Sequence, residues 1–495
     1  NFDIASDKIK VIYPGIYVNE IKEVQKNDVI NFGIVANSSL NKGGHYLLFA
    51  LGILNILKRN FKLRMIAPKY KKDLLMQFII KLFNMSKIVE ALPFQNDMTE
   101  FYEKIDFLVG DKNILNCMQY IPCLPMFSEK MIGFLADLSR RLMEDVRSRE
   151  YQDIMAYAYW IRKSSFERGR NAYGDYSLRI GRGVSFHIAP SNVPINFAVS
   201  MTSAILAGNG VIIRVSDKDF EQVTIVCDAI NELLSGKYAV IKDFFCIIRY
   251  PHDDEITSAI SSICDVRIIW GGDETIKRIR NTGLPSRAIE MTFADRHSIA
   301  LIDSDFYLSQ NAGEVAKGFY TDTYYSDQSA CSSPRLVVWF GNSIDKAKKR
   351  FWDSLSELVN DRYIMQPVQA VDKYEAFCEL AMTGENIRLI SENNYIMRVN
   401  LDRLTEDIMN YKMGGGYFFE YNANELTDIL PILNKRCQTV AVLGVDKERV
   451  GKLVVESGVR GVDRIVELGQ TMGLEFVWDG YIMIEAMTRV IYIGD

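Results

Sequence analysis

Cys331 is the residue of this chain whose setting is best suited to covalent chemistry. It follows the small and polar residues 326–330 and precedes an apolar run at 336–340. A thiol on a turn of small residues can meet a substrate, whereas a thiol inside an apolar strand packs against its neighbours. A lone cysteine is a weak signal of a nucleophile, so the rest of the chain must decide its role.

Length and charge restrict what this chain can be. Its 495 residues exceed one ordinary core and predict two or three domains. The hydrophobic fraction of 48% and the charged fraction of 24% are typical of a soluble globular protein. A net charge of −5 without clustered basic residues argues against a nucleic-acid partner.

The eight cysteines lack the spacing of a metal site. They form no C-x-x-C pair and have no nearby histidine pair, so we expect reduced thiols, no metal and a cytoplasmic protein. Neither a membrane span nor a signal peptide is predicted. Because the chain begins mid-phrase at Asn1, we expect it to be a fragment of something longer.

The elements that must position Cys331 follow an α/β pattern. Strands are predicted at 9–13, 31–35, 63–67, 87–92 and 107–109, and helical stretches at 45–57 and 74–83. Pro122 and Pro125 mark a boundary, after which Ser128 is a candidate N-cap. The helix it opens should bury Met131, Leu135, Leu138, Leu142 and Val146 on one face. A second αβ alternation runs from 184 to about 303, which favours parallel sheets.

Residues 8–110 resemble the nucleotide-sugar half of a two-Rossmann (GT-B) retaining glycosyltransferase. The phrases Lys8–Ile16, Phe32–Val35, Asn41–Gly43 and Phe94–Met98 carry this resemblance. Lys42 matches one member of the family's basic pair for the donor diphosphate, but the arginine expected about five residues earlier and the paired glutamates are missing. The acceptor half is absent, so we expect a truncated domain with a structural or docking role. Lys42 would otherwise be a solvated loop lysine.

Residues from about 127 to 495 resemble the fatty-acyl-CoA reductase family of bacterial luminescence, a branch of the aldehyde dehydrogenase superfamily. The phrases that carry it, in order, are Gly181–Pro194, Ile212–Ser216, Ile268–Glu274, Asp327–Cys331, Arg464–Gly469 and Trp478–Gly480. This resemblance implies NADPH-dependent reduction of a fatty acyl thioester to an aldehyde. The acyl donor would be acyl-CoA or an acyl-transferring protein.

The resemblance also implies roles for individual residues. Cys331 would be the nucleophile that forms an acyl-enzyme, and Asn192, with the backbone N–H of Cys331, would stabilise the oxyanion. Taken without the family, Asn192 is a turn residue between prolines. The implied cofactor residues are Pro190, Ser191, Arg214, Ser216, Lys218, Gly271, Gly272 and Asp273. Arg214 and Lys218 could pair a 2′-phosphate, which favours NADPH over NADH, or they could be solvated cations at a strand end.

One departure from the aldehyde-oxidising relatives concerns the acyl-enzyme. Those relatives carry a glutamate that activates water, and the aligned position here is Thr292, which cannot serve as that base. Glu290 remains a candidate substitute on the same strand face. For His297 we favour a structural role over that of a base.

Together these observations predict an α/β, aldehyde dehydrogenase-like fold preceded by a Rossmann-like GT-B half domain. The expected domains are 1–120 (truncated glycosyltransferase-like), 127–295 with 456–495 (NADP-binding) and 296–455 (catalytic). We expect a homo-oligomer. The competing hypotheses are a glycan-pathway protein whose N-terminal domain binds a nucleotide sugar, and a non-catalytic acyl-binding relic.

Overall fold

The computed structural model describes residues 30–35, 61–66, 79–83, 85, 89–92, 104–383, 387–391 and 393–494. Contacts between residues divide the chain into two compact units, Asn1–Glu100 and Phe101–Asp495. In the first unit, strands β1 (Ile30–Val35), β2 (Phe61–Ile66) and β3 (Val89–Leu92) form a parallel sheet in that order. The three strands predicted there are confirmed. The predicted strand at 9–13, the helix at 45–57 and Lys42 lie outside the described residues.

The second unit contains the remaining strands. In chain order they are β4 (Asp106–Val109), β5 (Arg179–Gly181), β6 (Val184–Ile188), β7 (Gly210–Arg214), β8 (Phe245–Arg249), β9 (Val266–Trp270), β10 (Ile289–Phe293), β11 (His297–Asp303), β12 (Pro334–Phe340), β13 (Ile387–Ser391), β14 (Met397–Leu401), β15 (Tyr417–Asn422), β16 (Cys437–Leu443), β17 (Arg464–Glu467), β18 (Val477–Trp478), β19 (Tyr481–Ile482) and β20 (Thr488–Val490).

Helices connect and cover these strands. They are α1 (Lys112–Cys117), α2 (Glu129–Glu144), α3 (Gln152–Trp160), α4 (Lys163–Arg170), α5 (Asn196–Leu206), α6 (Glu221–Ser235), α7 (Asp254–Ser261), α8 (Asp273–Arg280), α9 (Ser304–Ser309), α10 (Ala312–Asp322), α11 (Ile344–Arg362), α12 (Pro367–Ala381), α13 (Lys447–Ser457) and α14 (Met483–Ala486).

One of the two large sheets of this unit has six strands, in the order β10-β9-β6-β7-β8-β4. Its strands are parallel except β4, which runs antiparallel to β8. Every residue of β6 and β7 is buried, because helices cover both faces of a parallel sheet and its central strands become continuously apolar. The predicted strand at 107–109 is confirmed, and it belongs to this sheet.

Helix α2 covers one part of that sheet with the predicted spacing. Met131, Leu135, Leu138 and Leu142 are fully buried, whereas Val146 lies beyond the helix end and is 71% exposed, so its predicted burial is wrong. Ser128 occupies the cap position, but its side chain makes no capping hydrogen bond. The apolar stripe ends with the helix because the chain turns at Asp145 into an extended conformation.

The second sheet has seven strands in the order β13-β14-β15-β12-β11-β16-β17, parallel except for β13. Alternate residues of β11 serve two cores, since Ile299 and Leu301 join the cluster on one face and Ala300 and Ile302 the cluster on the other. Strand β17 lies inside the tail that we assigned to the cofactor domain, and it pairs with β16 here. Further along, α14 joins the core of the six-stranded sheet, and β20 pairs with β5. The domain boundaries themselves stay predictions.

Candidate active site

Cys331 lies on a loop between a 3-10 turn, Tyr324–Ser326, and strand β12. Two residues of this loop have left-handed backbone angles, Asp327 at φ 53° and Gln328 at φ 55°. Such angles are uncommon outside glycine and cost free energy unless the surroundings hold them. The loop therefore needs specific bonds to keep the thiol in place.

Gln328 supplies most of these bonds. Its amide nitrogen donates to the carbonyls of Pro334 (3.0 Å) and Tyr417 (3.1 Å). Its amide oxygen accepts from the N–H groups of Gly416 (3.0 Å) and Tyr417 (3.2 Å). The side chain is fully buried, so one glutamine ties the loop to both β12 and β15.

Further contacts fix the backbone of Cys331 itself. The hydroxyl of Ser298, on β11, donates to the Cys331 carbonyl at 2.7 Å and accepts from the N–H of Thr439 at 3.2 Å. The thiol sulfur lies 3.9 Å from the Ala294 carbonyl oxygen. The sulfur is therefore placed where the end of the six-stranded sheet meets the start of the seven-stranded one.

The half-buried Cys331 lines a pocket of about 220 Å³. The wall of this pocket is mostly apolar, and its larger apolar side chains are Val193, Ile195, Val199, Trp270, Phe293, Met472, Leu474, Trp478 and Met483. The rings of Trp270 and Phe293 stack with their centroids 3.8 Å apart. A pocket lined in this way suits an extended hydrocarbon chain.

Burial raises the pKa of the Cys331 thiol above its ordinary value. The backbone N–H of Arg296 and the charge of Arg335 act in the opposite direction, whereas the carboxylates of Asp295 and Asp479 raise the pKa further. The resting group is thus a thiol at neutral pH. A nucleophilic attack by Cys331 requires that its proton be accepted during the reaction.

Asp479 is a buried carboxylate in this pocket. Its side chain is 7% exposed, accepts a hydrogen bond from Gln438 Nε2 at 2.5 Å and lies 3.3 Å from the Arg296 guanidinium. Burial raises the pKa of Asp479, and Arg296 lowers it by a smaller amount. The other acidic residues on the wall differ, because Asp295 is 59% exposed and paired with Lys412, and Glu475 is exposed.

Asn192 contacts the loop that carries Cys331. Its Nδ2 donates to the carbonyl of Ser329 at 3.3 Å, two residues from Cys331. Asn196, at the start of α5, also lines the pocket, and its buried Oδ1 has no hydrogen-bond partner among the described residues. Sequence reasoning gave no role to Asn196, Gln438, Gln328 or Asp479, although the last two fall within phrases that carried the resemblance.

The predicted cofactor residues divide into two groups. Pro190, Gly271 and Gly272 line the Cys331 pocket, while Ser191, Arg214, Ser216, Lys218 and Asp273 do not. Arg214 is 6% exposed, and its guanidinium donates to the Tyr250 carbonyl at 3.1 Å. Ser216 is buried, and its hydroxyl accepts from the backbone N–H of Lys218 at 3.2 Å. The side chain of Lys218 is exposed.

Both groups lie at one edge of the six-stranded sheet. Pro190 follows β6, Arg214 ends β7 and Gly271 follows β9, all at the carboxyl ends of parallel strands. Asp273 is exposed in the first turn of α8 and lies 3.6 Å from Arg436. Crevices at the carboxyl ends of such strands are the usual ligand sites of open α/β sheets.

The candidate base Glu290 is engaged elsewhere. Its carboxylate accepts from Arg267 at 2.5 Å and from Arg280 at 2.7 Å, and Glu290 is absent from the pocket wall. Thr292 is likewise outside the pocket, with its hydroxyl 3.4 Å from Arg280 Nη2. Burial lowers the pKa of His297 to about 4, so this imidazole is neutral, and it does not line the pocket.

The solved structures similar to this chain share the aldehyde dehydrogenase fold. A benzaldehyde dehydrogenase from Corynebacterium glutamicum, described as NAD-dependent, matches with a TM-score of 0.54, 14% identity, and 76% of this chain and 86% of the other covered. A glyceraldehyde-3-phosphate dehydrogenase from Methanocaldococcus jannaschii, solved with NADP, matches with a TM-score of 0.53, 14% identity, and 77% and 91% covered. The predicted aldehyde dehydrogenase-like fold is confirmed.

The sequence narrows this class to one family. The sequence model of the acyl-CoA reductase (LuxC) family matches residues 111–490, and the chain belongs to that family. A long-chain acyl-protein thioester reductase of Aliivibrio fischeri is 27% identical over 299 residues, and the second such reductase of Photobacterium leiognathi is 29% identical over 187 residues. The aligned segments span 58% and 37% of this chain and the same shares of those relatives. The glycosyltransferase-like resemblance of residues 8–110 receives no support from these matches.

Within the described residues, no helix is long and apolar enough to cross a membrane. The described residues also contain no group of three or more histidine, cysteine or acidic side chains that could hold a metal ion.

Proposed function

We propose that this protein reduces a fatty acyl thioester to an aldehyde through an acyl-enzyme on Cys331. The observation that carries the proposal is the position of this thiol in a mostly apolar pocket, on a chain that belongs to the acyl-CoA reductase family. The curated relatives named above are long-chain acyl-protein thioester reductases. The substrate class we propose is therefore a long-chain acyl thioester, carried by coenzyme A or by an acyl-transferring protein.

The proposed first step is transfer of the acyl group to Cys331. The sulfur attacks the thioester carbonyl carbon, a new carbon–sulfur bond forms, and the bond to the carrier sulfur breaks. Asn192 Nδ2 and the Cys331 N–H are the proposed donors to the oxyanion of the tetrahedral intermediate. The carrier leaves as a thiol, so one proton must pass from Cys331 to the departing sulfur.

Asp479 is the proposed proton carrier of this step. No histidine among the described residues is an alternative proton carrier, because none of the three lines the pocket. His187 touches the pocket residue Ser200, but burial lowers the pKa of His187 to about 3. Burial raises the pKa of Asp479, so this carboxylate is a stronger proton acceptor than an exposed aspartate.

The acyl-enzyme is preserved because no carboxylate is available to activate water. Thr292 stands at the position of that carboxylate, and Glu290 is paired with two arginines. An acyl-enzyme that resists hydrolysis can be reduced, and Cys331 is then the leaving group that releases the aldehyde. A nicotinamide cofactor, when bound, supplies the hydride. The edge formed by Pro190, Gly271 and Gly272 fits such a cofactor, because the first turn of α8 offers free backbone N–H groups to phosphates.

We propose NADPH as this cofactor. The exposed Lys218, four residues beyond the end of β7, is the residue we expect at a 2′-phosphate. The buried Arg214 is bonded to the Tyr250 carbonyl and would act by its charge from behind the strand end. Comparison of NADPH with NADH in wild type and in Lys218→Ala tests this, with the preference for NADPH reduced in the variant.

Turnover tests the central proposal. Loss of nicotinamide absorbance is followed with NADPH and acyl-CoAs of several chain lengths, and in parallel with acyl groups on a carrier protein. Cys331→Ala is expected to abolish oxidation with every donor, while Cys378→Ala, which changes an exposed cysteine, leaves it intact. Oxidation that persists in Cys331→Ala contradicts the proposal.

Asp479→Asn separates proton transfer from simple electrostatics. Because the Asp479 charge raises the pKa of Cys331, its removal should speed alkylation of Cys331 by iodoacetamide. Loss of the proton carrier should nevertheless lower kcat by about 10²- to 10⁴-fold. Asp295→Asn is the matched control. The charge of Asp295 also raises the pKa of Cys331, but its side chain is exposed. If alkylation and turnover rise together in Asp479→Asn, Asp479 does not carry the proton.

The apolar wall makes a prediction about chain length. Val199 projects from α5 into the pocket lining, so Val199→Phe should shorten the acyl chain that fits. Each excluded methylene costs about 0.8 kcal/mol of transfer free energy, or about fourfold in kcat/KM. Short acyl donors should react as before, while long ones lose in proportion to their length. An equal loss at all lengths would show that the chain does not lie along Val199.

A further inference from the structure

A second cavity lies at the opposite edge of the six-stranded sheet. Its volume is about 390 Å³, and its lining residues are Cys123, Arg182, Asp265, Arg287 and Arg489. Asp265 immediately precedes β9 and Arg287 precedes β10, so this cavity faces the amino ends of these strands. The Cys331 pocket faces their carboxyl ends, at Gly271 and Phe293.

The length of the strands separates the two cavities. From Asp265 to Gly271 the chain advances six residues along β9, which corresponds to roughly 20 Å at about 3.3 Å per residue. A ligand in the second cavity therefore cannot touch Cys331. Any binding there is distinct from the proposed acyl transfer.

The charges in this cavity are unbalanced. Three guanidinium groups, of Arg182, Arg287 and Arg489, face one carboxylate, of Asp265. Within the described residues, none of the three arginines forms an ion pair within 4.0 Å, and the buried Nε of Arg182 has no hydrogen-bond partner. Arg287 and Arg489 are exposed and Arg182 is half-buried, so their charges are open to an anion from solvent.

The floor of the cavity is built to hold Asp265 in place. Its Oδ2 accepts from the N–H of Val184 at 2.9 Å. Gly183, at φ 143°, makes this approach possible, because a Cβ there would lie 1.9 Å from the same oxygen. A backbone hydrogen bond does not cancel the charge of the Asp265 carboxylate, so the three arginines exceed it by two positive charges.

We propose that this cavity is a second binding site, specific for the diphosphate group of a small anion. Guanidinium groups bind phosphate oxygens in pairs of parallel hydrogen bonds, and the excess of two positive charges favours a multiply charged anion such as a diphosphate. Free inorganic pyrophosphate and a nucleoside diphosphate share this chemistry. The cavity offers the charges of the diphosphate a partner and offers no aromatic ring among its lining residues for a base.

Cys123 provides a reporter inside the cavity. It is half-buried there, and the charge of Arg489 lowers the pKa of its thiol against the larger effect of burial. A bound anion would cover the sulfur and neutralise Arg489, and both effects slow alkylation. Cys117 and Cys378 are exposed outside this cavity and serve as internal controls in the same sample.

The experiment measures alkylation of each cysteine in the full chain by peptide mass spectrometry. Iodoacetamide is added with increasing pyrophosphate, and sodium chloride keeps the ionic strength constant. We expect labelling of Cys123 to fall with a saturating dependence, to about one tenth at ten times the dissociation constant, with Cys117 and Cys378 unchanged. Arg182→Gln and, separately, the exposed Arg287→Gln should each weaken this protection at least tenfold.

Controls decide the remaining outcomes. Arg449→Gln removes the same charge from an exposed position on α13 and should keep the protection. Parallel addition of ADP identifies the source: protection by ADP and pyrophosphate alike assigns the site to the diphosphate group. Protection by ADP alone, equal protection by chloride, or none at all would overturn the proposal. Thermal unfolding of each variant verifies that the fold is retained.

Discussion

Replacement of Gln328 by Ala tests how the loop that carries Cys331, residues 327–333, is held. The side chain makes four buried hydrogen bonds, two to carbonyls and two from N–H groups. Each contributes about 0.5–1.5 kcal/mol net, so removal of all four should cost about 4 kcal/mol. That is a large part of the total of about 5–15 kcal/mol typical of a folded domain. The left-handed backbone at this position stays unfavourable for alanine and loses its compensation.

Urea unfolding followed by tryptophan fluorescence measures this loss, because Trp339 and Trp352 are buried in the same domain. Gln310→Ala is the matched control. Its amide makes a single exposed hydrogen bond, so less than about 0.5 kcal/mol should be lost. A loss below about 1 kcal/mol in Gln328→Ala would refute the argument that this amide holds the loop.

Gln328→Glu refines the same test. The remaining oxygen still accepts from Gly416 and Tyr417, but the second oxygen now faces the carbonyls of Pro334 and Tyr417 instead of donating to them. A protonated carboxyl can restore one of these bonds, whereas the ionised form adds repulsion. Stability relative to wild type should therefore fall as pH rises through the titration of this carboxyl. A difference that does not change with pH would contradict the assigned orientation of the amide.

Two further predictions concern buried charges. Burial raises the pKa of Asp322 to about 6, above its usual 3.8, so the folded state binds more protons between these values and wild-type stability falls as pH rises. The unfolding free energy of Asp322→Asn, measured relative to wild type, should thus rise by up to about 3 kcal/mol from pH 4 to pH 7, and a flat difference would contradict the shift. Arg267→Met should lower the free energy of unfolding by about 3–5 kcal/mol, because Arg267 is buried against Glu290. Arg280→Met changes a side chain that is 57% exposed, so it should cost less than about 1 kcal/mol in the same urea titration.

The parts of the fold that the sequence predicted are those governed by local pattern. Short β-branched or aromatic runs predicted β1, β2, β3 and β4 within about two residues, since strand formation there depends on the residues of the strand itself. The burial of Val146 was wrong because the helical spacing continues in the sequence beyond the point at which the helix ends. Local periodicity contains no information on that turn.

The site was predictable only in part for a different reason. Cys331 and Asn192 could be found because each stands in a distinctive phrase. Asp479 and Gln438 are 41 residues apart, and their hydrogen bond forms only after β16 and the C-terminal segment reach the same pocket. Glu290 was a reasonable candidate base until its two arginine partners were known. Partners distant in sequence determine whether a titratable group is free to act.

The raised pKa of Cys331 is consistent with the proposed acyl-enzyme mechanism. A permanently ionised thiolate would be alkylated or oxidised in the absence of substrate, whereas a buried thiol becomes nucleophilic only when a carboxylate accepts its proton. The pocket that buries the thiol has a mostly apolar wall, which favours a long acyl chain in the proposed reaction. In the proposed mechanism, burial of the resting thiol beside an apolar wall that includes Met472, Leu474 and Trp478 therefore protects it between turnovers.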